Sequence, residues 1–211
     1  MNNLDAIVEN IRAQFEIKNA ARDRTLTRSR ELIRLCAQSI RATHREEFQE
    51  AEALLDQARK VAGEMTAAIA DHPDLYYTGY TQDALKELVE ASALLAIVHD
   101  QLLPTPEDIH VPPPAYLNGL AEAATELRRH ILDQIRKGHN TKSERLLQAL
   151  DDIYSKLITI DYPDAITQGL RRTTDVVRSV LERTRGDLTL TQQQEKLKQS
   201  LRDFEDKLGN I

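Results

Sequence analysis

The stretch Tyr116-Leu117-Asn118-Gly119-Leu120-Ala121-Glu122-Ala123-Ala124-Thr125-Glu126-Leu127-Arg128-Arg129 has no proline and consists mostly of residues that lose little freedom in a helix. It reads as the core of a helix from Ala115 to Lys137, stopped by Gly138. Upstream, Pro104, Pro106 and Pro112-Pro113-Pro114 mark the longest irregular connection of the chain. Before it, residues 82–103 read as another helix. Downstream, residues 141–158 form the next, and Asp161-Tyr162-Pro163-Asp164 a turn. A further helix then runs to Arg185 and stops at Gly186, and a last one opens at Thr189 or Thr191 and reaches Leu208.

The N-terminal part follows the same pattern. Residues 3–43 hold no Pro or Gly, and Leu26, Ile33, Cys36, Ala37 and Ile40 recur at helical spacing as a buried stripe. Residues 45–70 continue helically, with Phe48, Ala51, Leu55, Ala58, Ala62 and Met65 as the core face, until His72-Pro73. The expectation is an all-α chain, residues 1–211 forming one domain of about seven helices joined by short connections. No internal repeat or low-complexity tract is present.

Composition narrows the function classes. Of the 211 residues, 29% are charged and 41% hydrophobic, which is globular and not disordered. The longest apolar run, Ala93 to Val98, is far too short to span a membrane. The single cysteine, Cys36, rules out an intramolecular disulfide and reads as a small buried apolar residue in a reducing compartment. With Asp5 and Glu9 at the start and no apolar leader, the chain reads as cytoplasmic. A net charge of −6 argues against a generic nucleic-acid coat but permits a basic face. The six histidines fall in no His-Glu-x-x-His or Glu-x-x-His pattern, so a zinc protease or di-iron site is not expected. A glycine-rich phosphate loop and a nucleophile elbow are both missing.

Two carboxylate pairs carry the chemistry. Glu87 and Glu90 are three apart on the third long helix, and Glu122 and Glu126 four apart on the fourth; each pair shares a helix face. Helices joined in sequence usually pack antiparallel, so the four can converge. Converged carboxylates repel unless a cation neutralises them, and hard oxygen ligands favour Mg²⁺ or Mn²⁺. The pattern suits metal-assisted phosphodiester cleavage. It equally suits a nucleotide pyrophosphohydrolase, and two solvated glutamate pairs arise easily by chance. Arg30, Arg34, Arg41 and Arg45 fall within one narrow arc beside the apolar stripe and could take phosphate oxygens, or could be ion-paired on a solvated face. Arg128-Arg129-His130 and Arg171-Arg172 are weaker candidates of the same kind. Arg185-Gly186-Asp187 reads as a helix end.

Tyr116-Leu117-Asn118-Gly119, with Glu126 seven residues past the glycine and Arg128-Arg129 after it, resembles the signature of translin and translin-associated factor X. Ser29-Arg30-Glu31-Leu32, His44-Arg45, Tyr154, Pro163, Gly169-Leu170-Arg171 and Arg185-Gly186-Asp187 are similar to other parts of that family, so the resemblance covers nearly the whole chain. It implies a seven-helix fold, binding of single-stranded RNA or DNA, and assembly into a hollow, barrel-like octamer. The factor X type, which supplies Mg²⁺-dependent endoribonuclease activity, carries a Glu-x-x-Glu pair followed by Ala. That pattern is matched here by Glu87, Glu90 and Ala91 and is lacking in translin itself. Factor X usually has Asp four residues before the signature Glu; this chain has Glu122 there. By this resemblance Glu87, Glu90 and Glu126 hold the metal, Glu122 is a further ligand or water-activating base, and the compact chain forms a homo-oligomer. The alternative within the family is a translin-type binder that does not cut.

Overall fold

The computed structural model describes residues 3–138 and 140–209. Among them are eight helices and no strand: α1 (Leu4–His44), α2 (Phe48–Ala67), α3 (Pro73–Tyr76), α4 (Gly79–Val98), α5 (Pro113–Arg136), α6 (Asn140–Leu157), α7 (Asp164–Thr167) and α8 (Leu170–Gly209). The all-α expectation is met. None of these helices is long and apolar enough to cross a membrane. The chain forms two compact units, residues 1–119 and 120–211, with the boundary inside the unbroken α5.

In the first unit α1 packs along α2 and α4. Leu32, Leu35, Cys36, Leu55, Ala58, Met65, Leu85, Leu88 and Val89 form its core, closed by Ile109, Val111 and Ala115. The face of α2 is the expected one, with Phe48 half-buried at its edge. That of α1 is rotated from the expected stripe. Its centre runs Thr25, Ser29, Leu32, Cys36, Ser39, Thr43, while Leu26, Ile33, Ala37 and Ile40 are only half-buried. Burying four hydroxyls costs little here because each has a carbonyl to donate to. Thr25 bonds Ala21 O at 2.8 Å, Ser29 bonds Leu26 O at 3.0 Å, and Thr43 bonds Ser39 O at 2.9 Å. Ser39 reaches across to Ala51 O at 2.9 Å, tying α1 to α2.

Helix ends depart from expectation where a non-glycine residue makes the stop. Asp100 takes φ 61°, and the Asp100 N–H and Gln101 N–H close back on Ile97 O and Ala96 O. This left-handed cap ends α4 at Val98 instead of Leu103. Glu46 (φ 62°) ends α1 in the same way. Pro73 does not stop α2, which has already ended. It begins α3, at a position where its missing N–H costs nothing.

In the second unit α6 and α7 pack on α8. Leu127, Ile131, Leu146, Leu150, Leu170 and Val177 are among its most buried apolar side chains. Arg185–Asp151 at 3.1 Å and a Gln192–Glu144 side-chain hydrogen bond line the α6–α8 seam. The stop expected at Gly186 is absent: α8 passes straight through it, so Arg185-Gly186-Asp187 lies inside a helix. Glycine costs only about 1 kcal/mol in a helix. Thr184 and Leu188, both nearly fully buried on either side of it, anchor the helix well beyond that.

Candidate functional site

Helix α4 is buried on almost every side from Leu88 to Val98, and Glu90 lies within that run with only 9% of its surface exposed. Glu87, one turn earlier, is half-buried. A carboxylate so placed is expensive unless something neutralises or bonds it. The neighbourhood registers both charges: the Cys36 thiol on α1, fully buried, is pushed well above the usual thiol range, first by burial and then by the Glu87 and Glu90 carboxylates. The reading of Cys36 as a small buried residue is met.

Gly119 positions the next helix. A Cβ there would come within 2.5 Å of the Lys86 carbonyl oxygen and 2.6 Å of Val89 Cβ. The α5 backbone therefore lies directly on the α4 turn that carries Glu87 and Glu90, an approach open only to glycine. Tyr116 secures the same junction: its hydroxyl donates to Pro104 O at 2.8 Å, pinning the proline-rich connection to the first turn of α5. Burial holds that phenol above its usual pKa, with Asp108 and Glu107 adding to the effect, so it stays a donor. Glu122 follows Gly119 by less than a turn on the same helix. One oxygen from each of Glu87, Glu90 and Glu122 lies within 4.8 Å of the other two.

Of the four carboxylates singled out in sequence, these three come together. Glu126, one turn further along α5, is not a member of the group. The donor set fits a small hard cation. With metal–oxygen bonds of about 2.1 Å, oxygens sharing one ion sit no more than about 4.2 Å apart, a closure of a few tenths of an ångström.

The arginines divide. Arg30, Arg34 and Arg41 are exposed on one side of α1 and make no ion pair among the described residues. Arg45 lies just past the helix end and is ion-paired with Glu47 and Glu50. Arg128 is held by Asp187 at 2.8 Å and Thr184 at 3.1 Å, and Arg171 by Asp161 at 2.8 Å. Periodicity did not reveal the close approach at Gly119. A glycine inside an otherwise strong helix was its only signal.

No family model matches the chain. It is similar to AfC3PO, whose structure in complex with duplex RNA superposes with a TM-score of 0.81 at 34% identity, over 88% of this chain and 96% of that one. The structure of apo-NeC3PO gives a TM-score of 0.79 at 21% identity over 87% and 96%, a likeness of fold. An uncharacterized protein of Methanocaldococcus jannaschii is 29% identical over 188 residues, covering 88% of this chain and 82% of that protein.

Proposed function

The chain belongs to the translin family, and from that premise we propose that it binds RNA and cuts single-stranded RNA with Mg²⁺. The observation that carries the cutting is the convergence of Glu87, Glu90 and Glu122. Glu87 and Glu90 would hold the ion from α4, and Glu122 from α5. Mn²⁺ would serve in the same place. A divalent ion held there would activate water and steady the charge on the phosphate. In this arrangement Glu122 takes the ligand role that the resemblance gives to Glu126.

RNA binding is supported by the similarity to AfC3PO, which has been crystallised with duplex RNA. The phosphates would be met by Arg30, Arg34 and Arg41, whose guanidinium groups make no ion pair among the described residues; Arg45 is already engaged by two carboxylates. Replacing all three with Ala is expected to weaken RNA binding roughly 10- to 100-fold at moderate salt. It should also flatten the plot of log affinity against log salt by about 2. Fluorescence anisotropy across a salt series measures both, and an unchanged slope would remove these residues from the interface.

The test of the whole reading is incubation of the purified protein with end-labelled single-stranded and duplex RNA oligonucleotides, with and without Mg²⁺. The expected result is single-strand fragments that require the metal. Retention of both oligonucleotides uncut, with binding intact, would make the protein a translin-type binder.

Self-association is part of the same reading. The first four turns of α1 carry Leu4, Ile7, Val8, Ile11 and Phe15 on one face, all between 43% and 67% exposed. An apolar stripe of that length left in water marks a protein contact. Phe15→Glu is expected to lower the particle mass measured by light scattering; the wild-type mass should be that of an octamer.

A further inference from the structure

A hollow of about 680 Å³ opens in the second unit between the loop of residues 161–164 and Arg171, Arg172 and Asp175 at the start of α8. Its size is that of an ordinary small-ligand site. The loop is pinned to α8 on either side of Tyr162. Asp161 takes Arg171 at 2.8 Å, and Asp164 Oδ1 accepts the Gly169 N–H at 3.2 Å. Pro163 restricts the Tyr162 backbone further, since the residue before a proline is confined to extended conformations. The side chain between these anchors is left in water: Tyr162 is 62% exposed and makes no hydrogen bond or ring contact among the described residues.

Most charges in the hollow are committed. Asp161 and Arg171 neutralise each other, and Asp164 is occupied by the Gly169 N–H. Asp175 lies one turn before Arg178, whose guanidinium is held above its usual range first by Glu182 and in smaller part by Tyr154 and Asp175. Arg172 is the exception, exposed and without an ion pair or hydrogen bond among the described residues. An uncommitted guanidinium in one hollow with a held-out aromatic ring is the pairing that takes a nucleotide, phosphate on the first and base on the second.

We propose that this hollow takes one unpaired nucleotide of single-stranded RNA, its base stacked on Tyr162 and a backbone phosphate on Arg172. The inference rests on the RNA binding proposed above and adds to it a contact in the second unit. A base inside a duplex has neighbours on both faces and does not reach the ring, so the contact favours single strands. Every base has a face to stack, so the contact carries no sequence preference. Arg171, already shared with Asp161, holds the loop in place.

The test is photocross-linking of the full-length protein to single-stranded RNA carrying 5-iodouridine, which couples on irradiation to an aromatic ring stacked on it. Tyr162 is the only aromatic residue of the tryptic peptide 157–171, so mass spectrometry locates the link. Affinities for single-stranded and duplex RNA are measured beside it by fluorescence anisotropy. Tyr162→Ala is expected to lose the cross-link and to weaken single-strand binding about fivefold or more, with duplex binding within about twofold of wild type. Tyr162→Phe should keep both cross-link and affinity, because the ring makes the contact and the hydroxyl does not. Arg172→Gln should lower the salt slope of single-strand binding by about 0.7, the share of one phosphate contact. These variants change exposed side chains, so their melting temperatures should stay at the wild-type value. RNA bound without a cross-link in that peptide, Tyr162→Ala at wild-type affinity, or equal weakening of single-strand and duplex binding would overturn the inference and leave the RNA-binding reading standing. A protein that binds neither oligonucleotide would overturn both.

Discussion

Glu90→Ala is expected to abolish Mg²⁺-dependent cleavage, lowering the rate by about 100-fold or more, while leaving RNA affinity within about twofold of wild type. Glu90 is the most buried of the three converging carboxylates, and it lies in the most buried helix of the first unit. In the proposed reading, its removal would take one donor from the cation and leave Glu87 and Glu122 too few to hold it. Thermal unfolding of the metal-free variant is measured beside the rate. A rate that falls in a variant still folded at the assay temperature separates loss of a ligand from loss of the fold. Glu126→Gln should cost less than Glu90→Ala, because Glu126 stands outside the group. Cleavage by Glu90→Ala at the wild-type rate, in a protein shown to assemble, would falsify the catalytic assignment.

The second large effect is expected at Gly119. A methyl group there would meet the Lys86 carbonyl oxygen at 2.5 Å and Val89 Cβ at 2.6 Å. Neither obstacle is the loose end of a flexible side chain. One is backbone, and the other is the first atom of a side chain that is itself 1% exposed. Gly119→Ala therefore has to push α5 off α4. Overpacking of this kind costs about 1–3 kcal/mol, and more where the obstacle is backbone. The gain in helix propensity from Gly to Ala offsets about 1 kcal/mol of strain, so the expected net loss is about 2 kcal/mol, or roughly 4–8 °C in melting temperature for a chain of this size. Thermal unfolding followed by circular dichroism measures it. The displacement also moves Glu122 away from Glu87 and Glu90, so cleavage should fall even at temperatures where the variant is folded. An unchanged melting temperature would mean that α5 does not lie as close to α4 as described.

The helices and their chemistry were largely legible in the residues. Periodicity located all six long segments, because a 3.6-residue repeat of apolar side chains is a direct image of burial on one side. It failed where the signal was carried by something other than apolarity. The buried centre of α1 holds Thr25, Ser29, Ser39 and Thr43, which read as polar until their carbonyl partners are known. The end of α4 is made by Asp100 in a left-handed conformation, where glycine is the usual mark. The expected break at Gly186 was overridden by burial of its neighbours Thr184 and Leu188.

The carboxylate pairs divide along the same line. Spacing alone put Glu87 with Glu90 and Glu122 with Glu126, since residues three or four apart share a helix face whatever surrounds them. Which member of the second pair joins the first depends on how far along α5 the two helices meet, and that is decided by Gly119 lying against Lys86 and Val89. The arginines repeat the lesson. Sequence places Arg30, Arg34, Arg41 and Arg45 in one arc, but only the fold shows Arg45 beyond the helix end and paired with Glu47 and Glu50, while the other three make no ion pair among the described residues. Local order, helix type and residue chemistry follow from the chain because they depend on neighbours a few residues away. The choice of Glu122 over Glu126 was left to tertiary packing, because contact between helices is set by volume and backbone approach at positions that are far apart in sequence.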